Sequence, residues 1–359
     1  MKILILGAAG YLGQATVAYL RERGHEVTGV DSNVKDQWMT ECAVEPLIRP
    51  DGPAYERRKR RKAQAVWHST YAEVDAVVHY AEQASAPYSM RGAFEAFDTV
   101  NNNTQTTLDM ILKVREANSD CHIVKLGTMG VYGTPGIPIR EGWYDYPGGN
   151  MKKGERVRLP FPKQPGSLYH CTKAMDSDML EFAARVWDLR VTDLHQGVVY
   201  GNQTDEMEET TFYYDHIFGT CLNRFITQAV TGMPLTVYGR GGQTRGWLNI
   251  RDTLRCVELA LESPPDHGTY RVLNQFTETF SVLELAQRVA DVSGATIEHI
   301  DNPRRESEDH YYHASNEGFR QLGLEPHVLT DDVLAQMIET VTRYRDRIDP
   351  ACIMPAVKW

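Results

Sequence analysis

Over the first two hundred residues, short apolar runs alternate with longer stretches of helical periodicity. Lys2–Leu6 is an apolar run of the kind that makes a strand buried on both faces. A glycine-rich turn follows, then helical spacing from Tyr11 to Arg23 (Leu12, Ala15, Val17, Ala18, Leu20) and a second strand over His25–Asp31. Further strands are expected at Val74–His79, His122–Gly127 and Val191–Gln196, with helices at Thr99–Ala117 and Ser167–Val186. This alternation predicts an α/β fold: a doubly wound parallel sheet with helices on both faces.

Beyond residue 200 the pattern becomes intermittent. Helices are expected near 216–231, 252–262, 282–293 and 331–346, separated by polar segments and by the glycine-rich Gly239–Gly242. The division that follows is a dinucleotide-binding unit over 1–200 and a smaller lobe over 201–359, with some segments of the lobe returning to the first core. Residues 133–166 are rich in Gly and Pro and read as a long loop over the site. Nothing between 50 and 65 reads as a strand. Arg57–Lys62 is a run of six basic residues; in an acidic chain a solvated face is the plainer reading than a nucleic-acid or targeting patch.

Composition narrows the classes. With 42% apolar and 24% charged residues the chain can fill a core, which excludes a wholly disordered protein. The net charge of −10 makes nucleic acid and anionic membrane poor default partners. No apolar run is long enough to span a bilayer, and the first residues lack the pattern of a signal peptide. The six cysteines form no CxxC pair, so reduced, mostly buried thiols in a cytoplasmic protein are expected, with no metal site.

Two motifs carry chemistry. Gly7, Gly10 and Gly13 form G-x-x-G-x-x-G between a strand and a helix. The first glycine permits the turn, the second lets a pyrophosphate approach the backbone, and the third lets helix and strand pack closely. The free N–H groups at the helix start then hold the anion. Asp31, at the end of the next strand, would accept hydrogen bonds from the adenosine ribose and repel a 2′-phosphate, so NAD is expected rather than NADP. Tyr169 and Lys173 form Y-x-x-x-K, which places both on one helix face. There the ammonium of Lys173 would lower the pKa of Tyr169, making a base for a substrate hydroxyl. Thr128, at the end of the preceding strand, could bind the same substrate oxygen.

G-x-x-G-x-x-G, Thr128-Met129-Gly130-Val131-Tyr132-Gly133, Y-x-x-x-K and Val199-Tyr200-Gly201 together resemble the extended short-chain dehydrogenase/reductase family that modifies nucleotide sugars. Within it, strings such as Glu82-Gln83-Ala84-Ser85-Ala86-Pro87-Tyr88, Gly241-Gly242-Gln243-Thr244-Arg245-Gly246 and Asn302-Pro303-Arg304 are similar to the UDP-sulfoquinovose synthase family over nearly the whole chain. The resemblance implies NAD-dependent oxidation of UDP-glucose at C4, loss of water, addition of sulfite at C6 and re-reduction at C4, in a homodimer formed through the helices at 99–117 and 167–186. A nucleotide-sugar 4-epimerase or dehydratase is the alternative, and a non-catalytic NAD-binding regulator a third reading. The resemblance also implies residue roles. Thr128, Tyr169, Lys173 and His170 would be catalytic. Gly7, Gly10, Tyr11, Leu12, Gly13, Asp31, Ala81, Tyr169 and Lys173 would hold NAD. Met129, Gln196, Val237, Arg245 and Arg304 would bind the UDP-sugar, the two arginines at its diphosphate. Ordinary 4,6-dehydratases carry an Asp-Glu pair directly after the threonine; here Met129-Gly130 follows, which leaves His170 as the candidate for proton transfer at C5 or C6.

Overall fold

The computed structural model describes residues 1–57, 70–147, 156–304, 306 and 312–359. Its strands are β1 (Lys2–Leu6), β2 (Glu26–Asp31), β3 (Glu56–Arg57), β4 (Ala76–His79), β5 (His122–Thr128), β6 (Trp143–Pro147), β7 (Arg156–Pro160), β8 (Arg190–Gln196), β9 (Val198–Tyr200), β10 (Leu235–Tyr238), β11 (Thr244–Asn249), β12 (Tyr270–Gln275), β13 (Glu278–Ser281) and β14 (Ile297–Ile300). The helices used below are α1 (Tyr11–Glu22), α2 (Val34–Cys42), α3 (Ala86–Ser89), α4 (Ala93–Ala117), α5 (Leu168–Trp187), α6 (Cys221–Thr231), α7 (Ile250–Glu262), α8 (Val282–Ser293), α9 (Glu317–Gln321) and α10 (Asp331–Arg343).

Seven strands form the main sheet in the order β12-β8-β5-β4-β1-β2-β3, every pair parallel. Because β1 lies between β2 and β4, the chain reverses its direction of winding there, and a crevice opens beyond the carboxyl ends of those strands. Ile3, Leu4 and Ile5 are wholly buried, as strands covered by helices on both faces must be. One core joins β1, α1, α7 and the end of α9; another packs α4 and α5 on the opposite face. A separate apolar core gathers α6, α8 and α10 around Trp247, Phe225 and Leu285. Beside it lie a mixed sheet, β13-β11-β9, and the parallel pair β10-β14.

Three sequence expectations change. A third strand does exist at Glu56–Arg57: two residues pair with Val30 and Asp31, too short a segment to leave a periodic signal. The Gly/Pro-rich stretch 133–166 carries an antiparallel pair, β6 with β7, in which Tyr144 and Tyr146 flank Asp145 along one arm. The helix expected from 216 begins only at Cys221, where Thr220 caps it. Of the basic run, residues 58–62 lie outside the described residues. The cysteines form no disulfide: Cys121 and Cys256 are buried, and the other four are half-buried rather than buried.

Candidate functional site

The crevice holds a cavity of about 780 Å³ bordered by the ends of β1, β2 and β4. Its floor is the glycine turn. Gly7 adopts φ +86°, a left-handed conformation that favours glycine, and a Cβ there would stand 2.7 Å from Ala81 N. A Cβ on Gly13 would run into Gly7 O and stand 2.9 Å from Ala8 Cα. At Gly10 a Cβ would meet nothing closer than 3.4 Å. Gly10 is also the N-cap of α1 and supplies no side chain to the first turn, so the helix presents bare N–H groups to the cavity. Asp31 lies at the cavity wall. Its carboxylate accepts from Ala9 N at 2.9 Å and Asn33 N at 2.7 Å, and burial raises its pKa. Asn33 and Tyr55, hydrogen-bonded at 2.8 Å, line the same wall beside the short β3. A backbone cradle for a diphosphate, a carboxylate at the end of β2 and a cavity of this size fit a dinucleotide. Tyr11 and Leu12 contribute differently: the Tyr11 hydroxyl donates to Gly201 O at 2.7 Å, and Leu12 packs on the core.

The second half of the site lies at the ends of β5 and β8. Ser167 caps α5 by accepting from His170 N, which fixes the first turn of the helix that carries Tyr169, His170 and Lys173. Thr128 stands close enough to Tyr169 to oppose the rise in its pKa, so the two side chains share one end of the site. The electrostatics differ from expectation. Burial and the charge of Glu82 raise the Tyr169 pKa, while Lys173, 5.8 Å from the Tyr169 ring centre, gives its ammonium to Glu82 and to Leu126 O at 2.5 Å. The net effect of these surroundings is to raise the phenol pKa, with the Lys173 ammonium engaged by a carboxylate.

His170 packs against Gly130, two residues past Thr128. A Cβ on Gly130 would collide with its imidazole, so the glycine is what admits the ring. Nδ1 lies 2.9 Å from Ser167 Oγ. Burial and the nearby Arg304, Arg245 and Lys173 push its pKa down to about 3, which leaves the imidazole neutral. Met129, next to Thr128, is buried with Val131 and Phe161. The Gln196 amide donates to Thr253 at 3.3 Å and Gln275 at 3.1 Å, and Val237 is wholly buried in the core around Trp247. Arg245 pairs with Glu306 at 2.8 Å. Arg304 lies near Arg245, Arg224 and Tyr238, with its guanidinium 4.9 Å from the Trp359 ring; burial lowers its pKa. Three guanidiniums brought together suit a polyanionic ligand.

Sequence reasoning assigned no role to Glu82, Lys125, Asp176 or Asn103. Asn103 accepts from Gln83 N at 2.8 Å and donates to Thr172 at 2.9 Å, tying α4 to α5. Lys125 did carry a signal: a lysine inside the apolar run Ile123–Leu126 must find a buried partner.

The fold and the site thus define an α/β enzyme built to hold a dinucleotide beside a Tyr/Lys pair. Residues 3–274 match the NAD dependent epimerase/dehydratase family, and the chain belongs to that family and is an NAD-dependent enzyme. The chain is 41% identical to the chloroplastic UDP-sulfoquinovose synthase of Spinacia oleracea, over all of this chain and 79% of that protein. It is 37% identical to UDP-sulfoquinovose synthase of Sulfolobus acidocaldarius, over all of this chain and 98% of that one. Among solved structures, UDP-glucuronic acid 4-epimerase from Bacillus cereus, in complex with UDP-glucuronic acid and NAD, superposes with a TM-score of 0.69 at 21% identity, covering 96% of this chain and 99% of that one; it shares the fold.

Proposed function

We propose that the enzyme converts UDP-glucose and sulfite to UDP-sulfoquinovose. The observation that carries this reading is the full-length similarity to two UDP-sulfoquinovose synthases, joined to a site in which His170 packs against Gly130, two residues past Thr128. The glycine turn and Asp31 would hold NAD, with Ala81 at the cavity wall; NAD when bound accepts a hydride from C4 of the sugar and later returns it. Tyr169 takes the C4 hydroxyl proton and Thr128 holds the same oxygen. Lys173 supports the phenol and reaches toward the cofactor. The 4-keto group acidifies the C5 proton, which His170 removes and passes to the C6 hydroxyl, so that it departs as water. The sulfur of bisulfite then bonds to C6 while its proton passes to C5, and Tyr169 returns its proton to the C4 oxygen. Arg245 and Arg304 bind the diphosphate, and Met129, Gln196 and Val237 shape the sugar end of the site.

Incubating the purified protein with UDP-glucose and sulfite and following products by mass spectrometry tests the reading. A sulfonated UDP-sugar is expected. UDP-galactose, or a dehydrated sugar that never takes up sulfite, would replace it with an epimerase or dehydratase.

We further propose a homodimer through α4 and α5. These helices pack on one another and leave Phe94, Phe97 and Leu108 of the first, and Met175, Phe182 and Val186 of the second, exposed to solvent; Phe97 is 72% exposed. A reducing compartment such as the cytoplasm fits the six free thiols. No helix among the described residues is long and apolar enough to cross a membrane.

A further inference from the structure

Behind the Tyr169–Lys173 pair lies a closed group of charges. Glu82, just past the end of β4, reaches Lys173 with one carboxylate oxygen and Lys125 with the other, the latter at 2.5 Å. Lys125 is also 3.3 Å from Asp176, one turn beyond Lys173 on α5. All four side chains are at most 3% exposed. The remaining neighbours add no formal charge in contact with Glu82. His79 of β4 lies 3.9 Å away with its pKa pushed down to about 3 by burial and Lys125, and Thr107 of α4 donates to Glu82 at 3.1 Å. Tyr169 feels the Glu82 charge, and Asp193 of β8 acts on the far side of Lys125.

Two buried ammoniums thus share one carboxylate. Burial raises the Asp176 pKa well above the usual carboxylate range, and the charge of Glu82 beside it raises it further. Each ammonium left without a counter-charge in such a place would shed its proton rather than stay charged.

We propose that Glu82 is a positioning residue for the reaction: it fixes the Lys173 side chain against Leu126 O and keeps it charged, while Lys125 limits how much of that carboxylate Lys173 receives. This rests on the Tyr/Lys reading above. Among charged side chains, only Glu82 is ion-paired with both lysines in the described residues, since of the two Asp176 pairs with Lys125 only. When Glu82 is replaced by glutamine, Asp176 ionises to serve Lys125, and Lys173, whose pKa burial already lowers, keeps Leu126 O and only the more distant charge of Asp176. Its folded-state pKa then falls, so it carries its charge over a narrower pH range, ending at lower pH.

The test uses the NAD-loaded protein with 13Cε-labelled lysine, Lys173 being assigned by Lys173→Arg. In E82Q the Lys173 titration should move to lower pH by at least one unit, with Glu82→Asp close to wild type. The alkaline limb of C4 oxidation of UDP-glucose should move with it, which a merely structural lesion would not do. Lys125→Met should move both in the opposite direction. If E82Q does not fold, Glu82→Gln combined with Lys125→Met removes one charge of each sign and should still lower the Lys173 titration. An unmoved Lys173 titration in a folded variant overturns the proposal. A lowered titration with an unmoved activity limb upholds the role of Glu82 and instead refutes Lys173 as a participant in the chemistry.

Discussion

The glycine turn and the group around Tyr169 are both buried polar sites at the carboxyl edge of one sheet, yet they are built in opposite ways. The turn is local: Gly7, Gly10 and Gly13 work through what they lack, and backbone N–H groups do the binding. The group around Tyr169 draws Thr128 and Lys125 from β5, Glu82 from the end of β4, three residues from α5 and arginines from beyond residue 220. A local site fails when space is filled. A long-range one fails when a single charge loses its partner.

Four substitutions would break or sharpen that contrast. Tyr169→Phe should lower C4 oxidation of UDP-glucose by about 10³-fold, within the range for losing a general acid–base group, without loss of NAD binding. A fall of less than tenfold, measured by NADH absorbance under single turnover, would remove Tyr169 from its role. Gly13→Ala fills the close approach to Gly7 O and should cost roughly 1–3 kcal/mol of stability along with NAD affinity. Calorimetry with and without NAD checks both, and an unchanged affinity would show that the turn is only a packing device. Arg304→Ala should weaken UDP-glucose binding by about tenfold or more, the worth of a charge-assisted hydrogen bond, and leave NAD binding alone. Isothermal titration with UDP separates the two sites; equal losses of both ligands would mean they are one cooperative unit. Phe97→Asp should have the smallest effect on the chemistry: sedimentation should show monomers, while activity at saturating substrate stays within about twofold, as for an exposed position. A monomer without activity would show that neither region is complete within one protomer.

The two regions also differed in how far they could be read beforehand. Periodicity placed β1 at its observed bounds and α8 over its whole length, and put α1 and α5 within about a residue, because burial on a regular face leaves a regular pattern. The two-residue β3 and the β6–β7 pair escaped, since so short a pairing, or one inside a Gly/Pro-rich stretch, leaves no period to detect. Residues such as Tyr169 and Lys173 declare themselves by spacing on one helix. Glu82 and Asp176 do not, because nothing in their neighbours' identities says which charge they will face.

What the chain's order of residues settled was whatever depends on near neighbours: the turn that only glycine can make, the cap that starts α5, and the alternation that builds a parallel sheet covered on both sides. What needed the folded molecule was the balance of charge. Lys173 and Tyr169 stand four residues apart, but the state of the phenol is set by its burial and by a carboxylate 87 positions away. Local conformation is a short-range property of the backbone, whereas the proton affinity of a buried group is set by every charge that the packing brings within a few ångströms.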